Sequence, residues 1–331
     1  MTHKPHDAVF KHAFEQPEHA ADLFRSVLPP AIADAIAWST IAREPGSFVD
    51  VELADRHSDL LFSAELLGGR AFLYLLLEHQ SSLDVDMPLR MLVYQVRIWE
   101  RHRKQSTGPL PPILPVLVSH APGGWTGARH FHELIAPDPS QLPELAQFVP
   151  SFRLLVEDLA HLSNDDLKAR TLAVFPKLVL WLLRDARRED ELLRNLATWA
   201  HALREAARTP NGMESMLVLM RYISLVNEQV PWHEFHAKIR EVAPEAESAA
   251  MTIAEQLIAE GRAKGRNEGR SEGRSEGRNV AEQMLGKLLV LKFGELPADI
   301  EARVSSASLD ELQAWADRVL RATTLADVFT A

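Results

Sequence analysis

The sequence predicts an α/β protein in which a mixed sheet flanked by helices comes first, an all-helical region follows, and a small helical module lies beyond it. Three observations predict this order. Two strand-like runs meet at a glycine pair, 68–69, between segments that are helical in character. A long helical run and a further strand-length apolar run come next, which favours a mixed sheet. From residue 164 onward the sequence is helical in character.

The N-terminal part is predicted to be helical. Residues 6–28 carry apolar side chains at helical spacing, and Pro17 favours the start of a second helix within this stretch. A proline pair, Pro29 and Pro30, ends these helices. A short helix over 31–36 is predicted next, followed by a loop that leads into the sheet.

Residues 59–67 and 70–80 are predicted to form a β-hairpin, because Gly68 and Gly69 between them favour the positive φ angles of a two-residue turn. If these glycines are the central turn residues, cross-strand partners have numbers that sum to about 137. This register gives the hairpin one wholly apolar face and one polar face, since side chains alternate along a strand. The hairpin is therefore expected to have a core side and a chemical side.

On the polar face, this register places Asp59 opposite Glu78 and Gln80 on the same side. Directly opposed like charges are destabilising unless something neutralises them, and a divalent cation would do so. Two carboxylates suit Mg²⁺, with Mn²⁺ as an alternative, and Gln80 could orient a bound water although an amide cannot act as a base. The alternative is an ordinary pair of solvated acids at strand ends. His79 is expected to face the apolar side as a core residue.

A long helix over 87–104 and a strand over 113–119 are predicted next, and Pro115 in that strand indicates an edge position. Four basic residues lie along one side of the helix and are candidate contacts to DNA phosphates. They are Arg90, Arg97, Arg101 and Lys104. Their alternative role is a favourable interaction with the carbonyl end of the helix dipole.

Two dipeptides after this helix lack the context of a phosphate loop or of a serine nucleophile. Gly123 and Gly124 are not followed by the Gly-Lys-Ser/Thr of a phosphate loop, so an ordinary turn is predicted there. Ser119 and His120 have no nucleophile-elbow context, which argues against a serine hydrolase.

The second half is predicted to be helical, with a helix entry at Ser163. A repeat with glycine at every fourth position lies over 261–278. In a helix each glycine costs about 1 kcal/mol and the arginines stack on one another, so a flexible or marginally helical linker is predicted. The repeat could also attract phosphates. The predicted divisions are an α/β domain 1–160, a helical region 161–260, the linker 261–278 and a helical module 279–331.

Composition sets further limits. The chain has 331 residues, 46% hydrophobic and 25% charged, which is typical of a globular protein. It has no cysteine, which excludes disulfides, zinc–cysteine sites and thiol nucleophiles. The absence of an apolar leader or membrane span favours the cytoplasm. A net charge of −10 counts against general nucleic-acid binding, so DNA contact depends on local clusters of positive charge.

Six stretches of the first 120 residues carry a further signal: HDAVFKHAF (6–14), ADLFRSVLP (21–29), SFVD (47–50), SDLLF (58–62), LLEHQSSLDVDMPLRMLVYQ (76–95) and LPVLVSH (114–120). Together they resemble the Rpn-type recombination-promoting nucleases of the PD-(D/E)xK nuclease superfamily. The block EHQSS followed by MPLRMLVY is the specific signal. The resemblance implies a restriction-endonuclease-like fold and a metal-dependent DNA endonuclease linked to recombination or transposition.

The resemblance also implies roles for individual residues. Asp59 stands at the acid of the PD motif and Glu78 at the acid of the (D/E)xK motif, so both are expected to bind the metal. Gln80 stands where that motif has lysine. This departure keeps a second function open, a weak or inactive nuclease fold that acts as a DNA-binding or self-assembling interaction protein.

The resemblance suggests accessory positions as well. Asp7 and Lys11 fall in a matching block, with Glu15 as a competitor for the role of Asp7 and helix capping as its alternative. The C-terminal module looks like a small helical domain of unassigned function that is attached to this family. Its amphipathic helices could form a homo-oligomer.

Overall fold

Contacts between residues divide the chain into two compact units, Met1–Ile253 and Ala254–Ala331. The computed structural model describes residues 5–45, 60–78, 85–227, 230–319 and 321–329. None of the helices within these ranges combines the length and the hydropathy needed to cross a lipid bilayer.

Five strands form one sheet in the order β1-β2-β3-β4-β5. They are β1 Ile36–Arg43, β2 Leu60–Leu66, β3 Gly69–Glu78, β4 Ile113–Ser119 and β5 Leu155–Asp158. The pairs β1/β2 and β2/β3 are antiparallel, whereas β3/β4 and β4/β5 are parallel. The mixed sheet is confirmed. Neither β1 nor β5 is predicted from the sequence, because β1 lacks a clear apolar alternation and β5 has only four residues.

Four helices accompany the sheet, and each includes a proline at its start or in its first turn. They are α1 Pro5–Phe14, α2 Pro17–Val27, α3 Pro30–Ala35 and α4 Met87–Gln105. Proline suits the first turn because the backbone N–H that it lacks has no partner within the helix there. The predicted helices before the sheet and the helix over 87–104 are confirmed.

The hairpin turns one residue earlier than predicted. Its central residues are Leu67 and Gly68, both with positive φ, so the predicted turn at Gly68 and Gly69 is wrong. Partner numbers therefore sum to 135, as in the pair Leu60 and Leu75. The shift leaves the same residues on each face, because it moves the partners by two positions.

This correction removes the argument that placed Asp59 directly opposite Glu78, since that argument required the sum of about 137. Asp59 itself lies outside the described residues. The two residues could still contribute to one site, but the sequence pairing no longer specifies how.

Both faces of the sheet are buried under helices. On the face predicted to be apolar, the ring of Phe62 meets Phe24 of α2 at 6.3 Å between ring centroids. On the opposite face, Leu61, Phe72 and Tyr74 pack in one core with α4. The prediction of a polar side is therefore wrong for the body of the hairpin, because α4 covers that face with apolar side chains.

β4 is a central strand, which corrects the edge position predicted from Pro115. The strand pairs with β3 from Ile113 onward, whereas its pairing with β5 begins only at Val116. Pro115 thus lies ahead of the first β5 partner, where the ladder does not require an N–H from it.

Leu67 carries a strained backbone that predicts a stabilising substitution. Its φ is 51° and its side chain is 87% exposed. A left-handed conformation costs a leucine about 1 kcal/mol, and asparagine tolerates it better. Leu67→Asn is expected to raise the free energy of unfolding by about 1 kcal/mol in urea titrations. Leu110→Asn, at an exposed leucine without positive φ, serves as the control and is expected to give no gain.

The remaining helices of the first unit are α5 Pro143–Ala146, α6 Asn164–Ala169, α7 Val174–Asp185, α8 Glu189–Ala207, α9 Gly212–Val226 and α10 Trp232–Val242. The predicted helix entry is confirmed, since Ser163 and Asp166 form a capping box at the start of α6. α1 packs on α7 and α9. This packing joins the helical region to the first helix of the chain, and the predicted divisions at 160 and 260 stay predictions.

The second unit has its own apolar core. It contains most of α11 Glu247–Phe293, with α12 Ala298–Ser306, α13 Leu309–Val319 and α14 Leu325–Phe329. The repeat over 261–278 lies within α11, so it is helical and the flexible alternative is wrong. Helical residues flank the repeat on both sides, so the repeat does not have to start a new helix. The prediction from its glycines did not take this saving in nucleation free energy into account.

Candidate active site at the carboxyl ends of the parallel strands

The three parallel strands end side by side. Glu78, the last residue of β3, pairs with Ser119, the last residue of β4, and Ser119 pairs with Asp158, the last residue of β5. Neighbouring strands lie about 4.8 Å apart, so these positions form a row along one edge of the sheet. The carboxyl ends of parallel strands are where open α/β sheets bind their ligands.

The structure describes one of the three predicted catalytic residues. It places the backbone of Glu78 at this edge, whereas Asp59, His79 and Gln80 lie outside the described residues. Among the side chains that are described, no group of three or more His, Asp or Glu is placed to hold a metal ion. That finding does not test the predicted site, because the side chains of Asp59, Glu78 and Gln80 are not among those described. The metal site stays a prediction.

The accessory candidates lie on α1. Asp7 is buried in the first turn of this helix, and Lys11 is half-buried in its last turn. Glu15 accepts a hydrogen bond from Arg43 of β1 at 2.9 Å, so this competitor already has a basic partner. Neither the accessory role of Asp7 nor its capping role is tested by these contacts.

The basic residues of α4 lie on its outer surface. Arg97 and Lys104 are exposed, whereas Arg90 and Arg101 are half-buried. Arg97 also pairs with Glu100 at 3.4 Å. The same helix exposes three apolar side chains, Leu89, Val93 and Val96. Its outer surface is therefore mixed rather than uniformly basic, and contact with DNA phosphates stays a prediction.

A buried polar network adjoins the end of β4. The His6 Nδ1 of α1 lies 2.7 Å from the Tyr222 hydroxyl of α9, and the His6 ring lies 4.8 Å from that of His120. Arg187 donates to the His120 carbonyl oxygen at 2.6 Å and approaches its Nδ1 at 3.0 Å. Burial raises the pKa of Tyr222. This network fixes the residue that follows β4 against α1, α9 and the turn that follows α7.

Asp158 organises the loop on the other side of that edge. Its carboxylate accepts from the backbone N–H of Trp125 at 2.7 Å and from that of Ala160 at 3.3 Å, and it lies 2.8 Å from the His161 Nδ1. These bonds hold the loop after β4 next to residues 160–161. With these partners, Asp158 is a positioning residue of this edge.

Gly124 fits this loop only without a side chain, which gives a prediction. Gly123 and Gly124 both have positive φ, so the predicted turn is confirmed. A Cβ on Gly124 would lie 2.0 Å from the His161 ring and 2.9 Å from the Asp158 carboxylate, whereas a Cβ on Gly123 meets open space. Gly124→Ala is expected to cost about 2–3 kcal/mol of unfolding free energy, and Gly123→Ala about 1 kcal/mol. Equal costs in urea titrations would contradict the crowding argument.

A cavity of about 460 Å³ opens at this edge, between the loop after β4, residues 160–161 and the turn that joins α7 to α8. Three arginines line it, Arg184, Arg187 and Arg188, together with His120 and His161. This set is not predicted from the sequence. Its sequence signal is the arginine-rich stretch at 184–188, which is far in sequence from the hairpin.

The chain is similar to known proteins over most of its length. Residues 4–214 match the model of a family described as "Putative transposase, YhgA-like". The chain is 26% identical to recombination-promoting nuclease RpnD of Escherichia coli O157:H7 over 261 residues, which are 77% of this chain and 95% of the relative. It is 27% identical to recombination-promoting nuclease RpnA of Escherichia coli K12 over 258 residues, or 78% and 84%.

Another relative carries a different label. The chain is 28% identical over 261 residues to the inactive recombination-promoting nuclease-like protein RpnE of Escherichia coli K12, which covers 78% of this chain and 83% of the relative. No solved structure matches the chain significantly. The relatives thus include proteins named as nucleases and proteins named as inactive.

Proposed function

Because the chain belongs to the YhgA-like transposase family, we propose that it is a metal-dependent DNA endonuclease with a PD-(D/E)xK type of fold. The relatives named recombination-promoting nucleases support a role in DNA cleavage linked to recombination. The observation that carries the proposal is the position of Glu78 at the carboxyl end of β3, in a row with the ends of β4 and β5.

The donor set suits a hard cation. Glu78 and Asp59 offer carboxylate oxygens and Gln80 an amide oxygen, which are the ligand types that Mg²⁺ prefers. In the proposal Asp59 and Glu78 hold Mg²⁺ or Mn²⁺. A bound ion of this kind lowers the pKa of its water and offsets negative charge on the phosphate.

In the proposal, other side chains orient the water, supply a cation and contact the DNA. Gln80 orients the attacking water but cannot remove its proton, since an amide is not a base at neutral pH. Lys11 of α1 is a candidate for the cation that lysine supplies in the motif. The basic residues of α4 are the candidates for contact with the DNA backbone, at Arg90, Arg97, Arg101 and Lys104.

Two observations favour a second function without cleavage. Gln80 in place of lysine, and a relative named as inactive, favour a DNA-binding or self-assembling protein that does not cleave. Such a protein would bind DNA with or without a divalent ion. Self-assembly would involve the helices of the second unit.

Nicking of supercoiled plasmid tests the two functions against each other. The purified full chain is incubated with Mg²⁺, Mn²⁺, Ca²⁺ or a chelator. The endonuclease predicts nicked and linear DNA with Mg²⁺ or Mn²⁺ and intact plasmid with the chelator. Intact plasmid under all conditions, together with retarded migration of DNA, would support the binding protein instead.

A further inference from the structure

The cavity beside the strand ends has the charge of an anion site. Arg184, Arg187 and Arg188 line it, and its described lining residues include no carboxylate. This is notable in a chain whose net charge is −10. A local excess of guanidinium groups in a concave site favours an oxyanion ligand.

The three arginines are not equivalent. Arg184 donates to the Asp185 carboxylate at 2.7 Å and to the Leu162 carbonyl oxygen at 2.6 Å. These donors are therefore already used within the protein. Arg188 is 58% exposed and approaches Asp185 only at 3.8 Å. Its guanidinium is therefore loosely held at the rim of the cavity.

Arg187 is half-buried and forms no ion pair with a carboxylate of the described residues. Its Nη2 donates to the His120 carbonyl oxygen, which anchors this end of the guanidinium in the wall of the cavity. Burial, and then the neighbouring charge of Arg188, lower the pKa of Arg187, and both effects would be relieved by an anion. Arginine stays protonated in proteins, so this is a preformed cationic donor.

The cavity also lies next to the proposed cleavage site. His120, in its wall, directly follows Ser119, whose backbone pairs with Glu78. Successive phosphates of one strand advance about 3.4 Å along the helix axis, so a strand at Glu78 has further phosphates within reach of this wall.

We propose that the cavity binds a phosphate group of the DNA backbone, held by Arg187 and Arg188, beside the bond that is cleaved at Glu78. The assignment of the ligand to DNA rests on the proposed function, whereas the site for a phosphate rests on the cavity itself. Planar guanidinium groups can each donate two hydrogen bonds to phosphate oxygens.

Binding of a labelled DNA duplex tests the proposal, with Ca²⁺ in place of Mg²⁺ and fluorescence anisotropy at several salt concentrations. Arg188→Gln is expected to weaken binding about tenfold and to lower the slope of log K against log salt by about one. Arg187→Gln is expected to do the same. Arg194→Gln on α8 removes an equal charge that pairs with Asp190 and Glu191, and it is expected to bind as the parent does.

Thermal unfolding with inorganic phosphate separates the possible sources of the ligand. A phosphate-dependent rise in Tm that Arg188→Gln abolishes, with DNA affinity unchanged, would overturn the DNA assignment in favour of free phosphate. Parent-like DNA binding and no phosphate effect would overturn the site altogether. Because Arg188 is exposed, its variant tests the site even if Arg187→Gln fails to fold.

Failure of the phosphate site can be distinguished from failure of the proposed endonuclease function. If no metal ion supports cleavage, the endonuclease proposal fails, but the anisotropy comparison still decides whether the cavity contacts DNA. If cleavage occurs and Arg188→Gln binds as the parent does, only the phosphate site is wrong.

Discussion

Asp59→Asn and Glu78→Gln are each expected to lower the rate of Mg²⁺-dependent plasmid nicking about 100-fold or more. A bound divalent ion contributes several kcal/mol to stabilising the charge in the transition state, and loss of a carboxylate ligand weakens or displaces it. Both substitutions keep the size of the side chain. The rate is measured as nicked plasmid formed per unit time at equal protein concentration, with circular dichroism to confirm the fold.

Glu65→Gln provides a matched control for the carboxylate at the strand end. Glu65 lies in the same hairpin, is exposed, and pairs across the strands with Arg70 near the turn. Its substitution removes the same charge at the opposite end of the hairpin and is expected to leave the nicking rate unchanged. Parent-like nicking by Asp59→Asn and Glu78→Gln would show that the metal site lies elsewhere.

Asp185→Ala is expected to cost about 3–5 kcal/mol of unfolding free energy. The Asp185 side chain is 1% exposed. It accepts from the Trp181 Nε1 at 2.8 Å, from two nitrogens of Arg184 at 2.7 and 2.8 Å, and from the Asn195 Nδ2 at 2.8 Å. Its removal leaves the guanidinium of Arg184, whose side chain is 9% exposed, without its counter-charge.

An exposed ion pair on the next helix gives the comparison. Asp190 pairs with Arg194 at 3.1 Å, and both side chains are more than 60% exposed. Exposed pairs contribute about 0–1 kcal/mol, so Asp190→Ala is expected to change the urea midpoint little. If the two alanine variants lost similar stability, the Asp185 network would not be the structural centre that its burial and bonds indicate.

The register of the hairpin illustrates the limit of turn rules. A glycine pair predicts a two-residue turn centred on 68–69, because glycine adopts positive φ more readily than leucine. The structure places Leu67 in that conformation, with φ of 51°. The tertiary packing of β2 between β1 and β3 outweighs a local cost of about 1 kcal/mol.

The amino-acid sequence by itself determined the local elements with strong periodicity and clear ends. These include the hairpin, α4, the strand that ends at Ser119 and the helix that starts after Ser163. It also placed Glu78 near the end of a strand. These predictions succeeded because each depends on residues close together in the chain.

Only the tertiary structure decided what surrounds the strand ends. Helix α4 covers the hairpin face that the alternation of side chains along the strands predicts to be polar. Arg187 reaches His120 across 67 positions of sequence, and His6 reaches Tyr222 across 216. Contacts at such separations depend on how the helices pack, which no local pattern encodes, so the cationic cavity beside Glu78 emerged from the fold and not from the sequence.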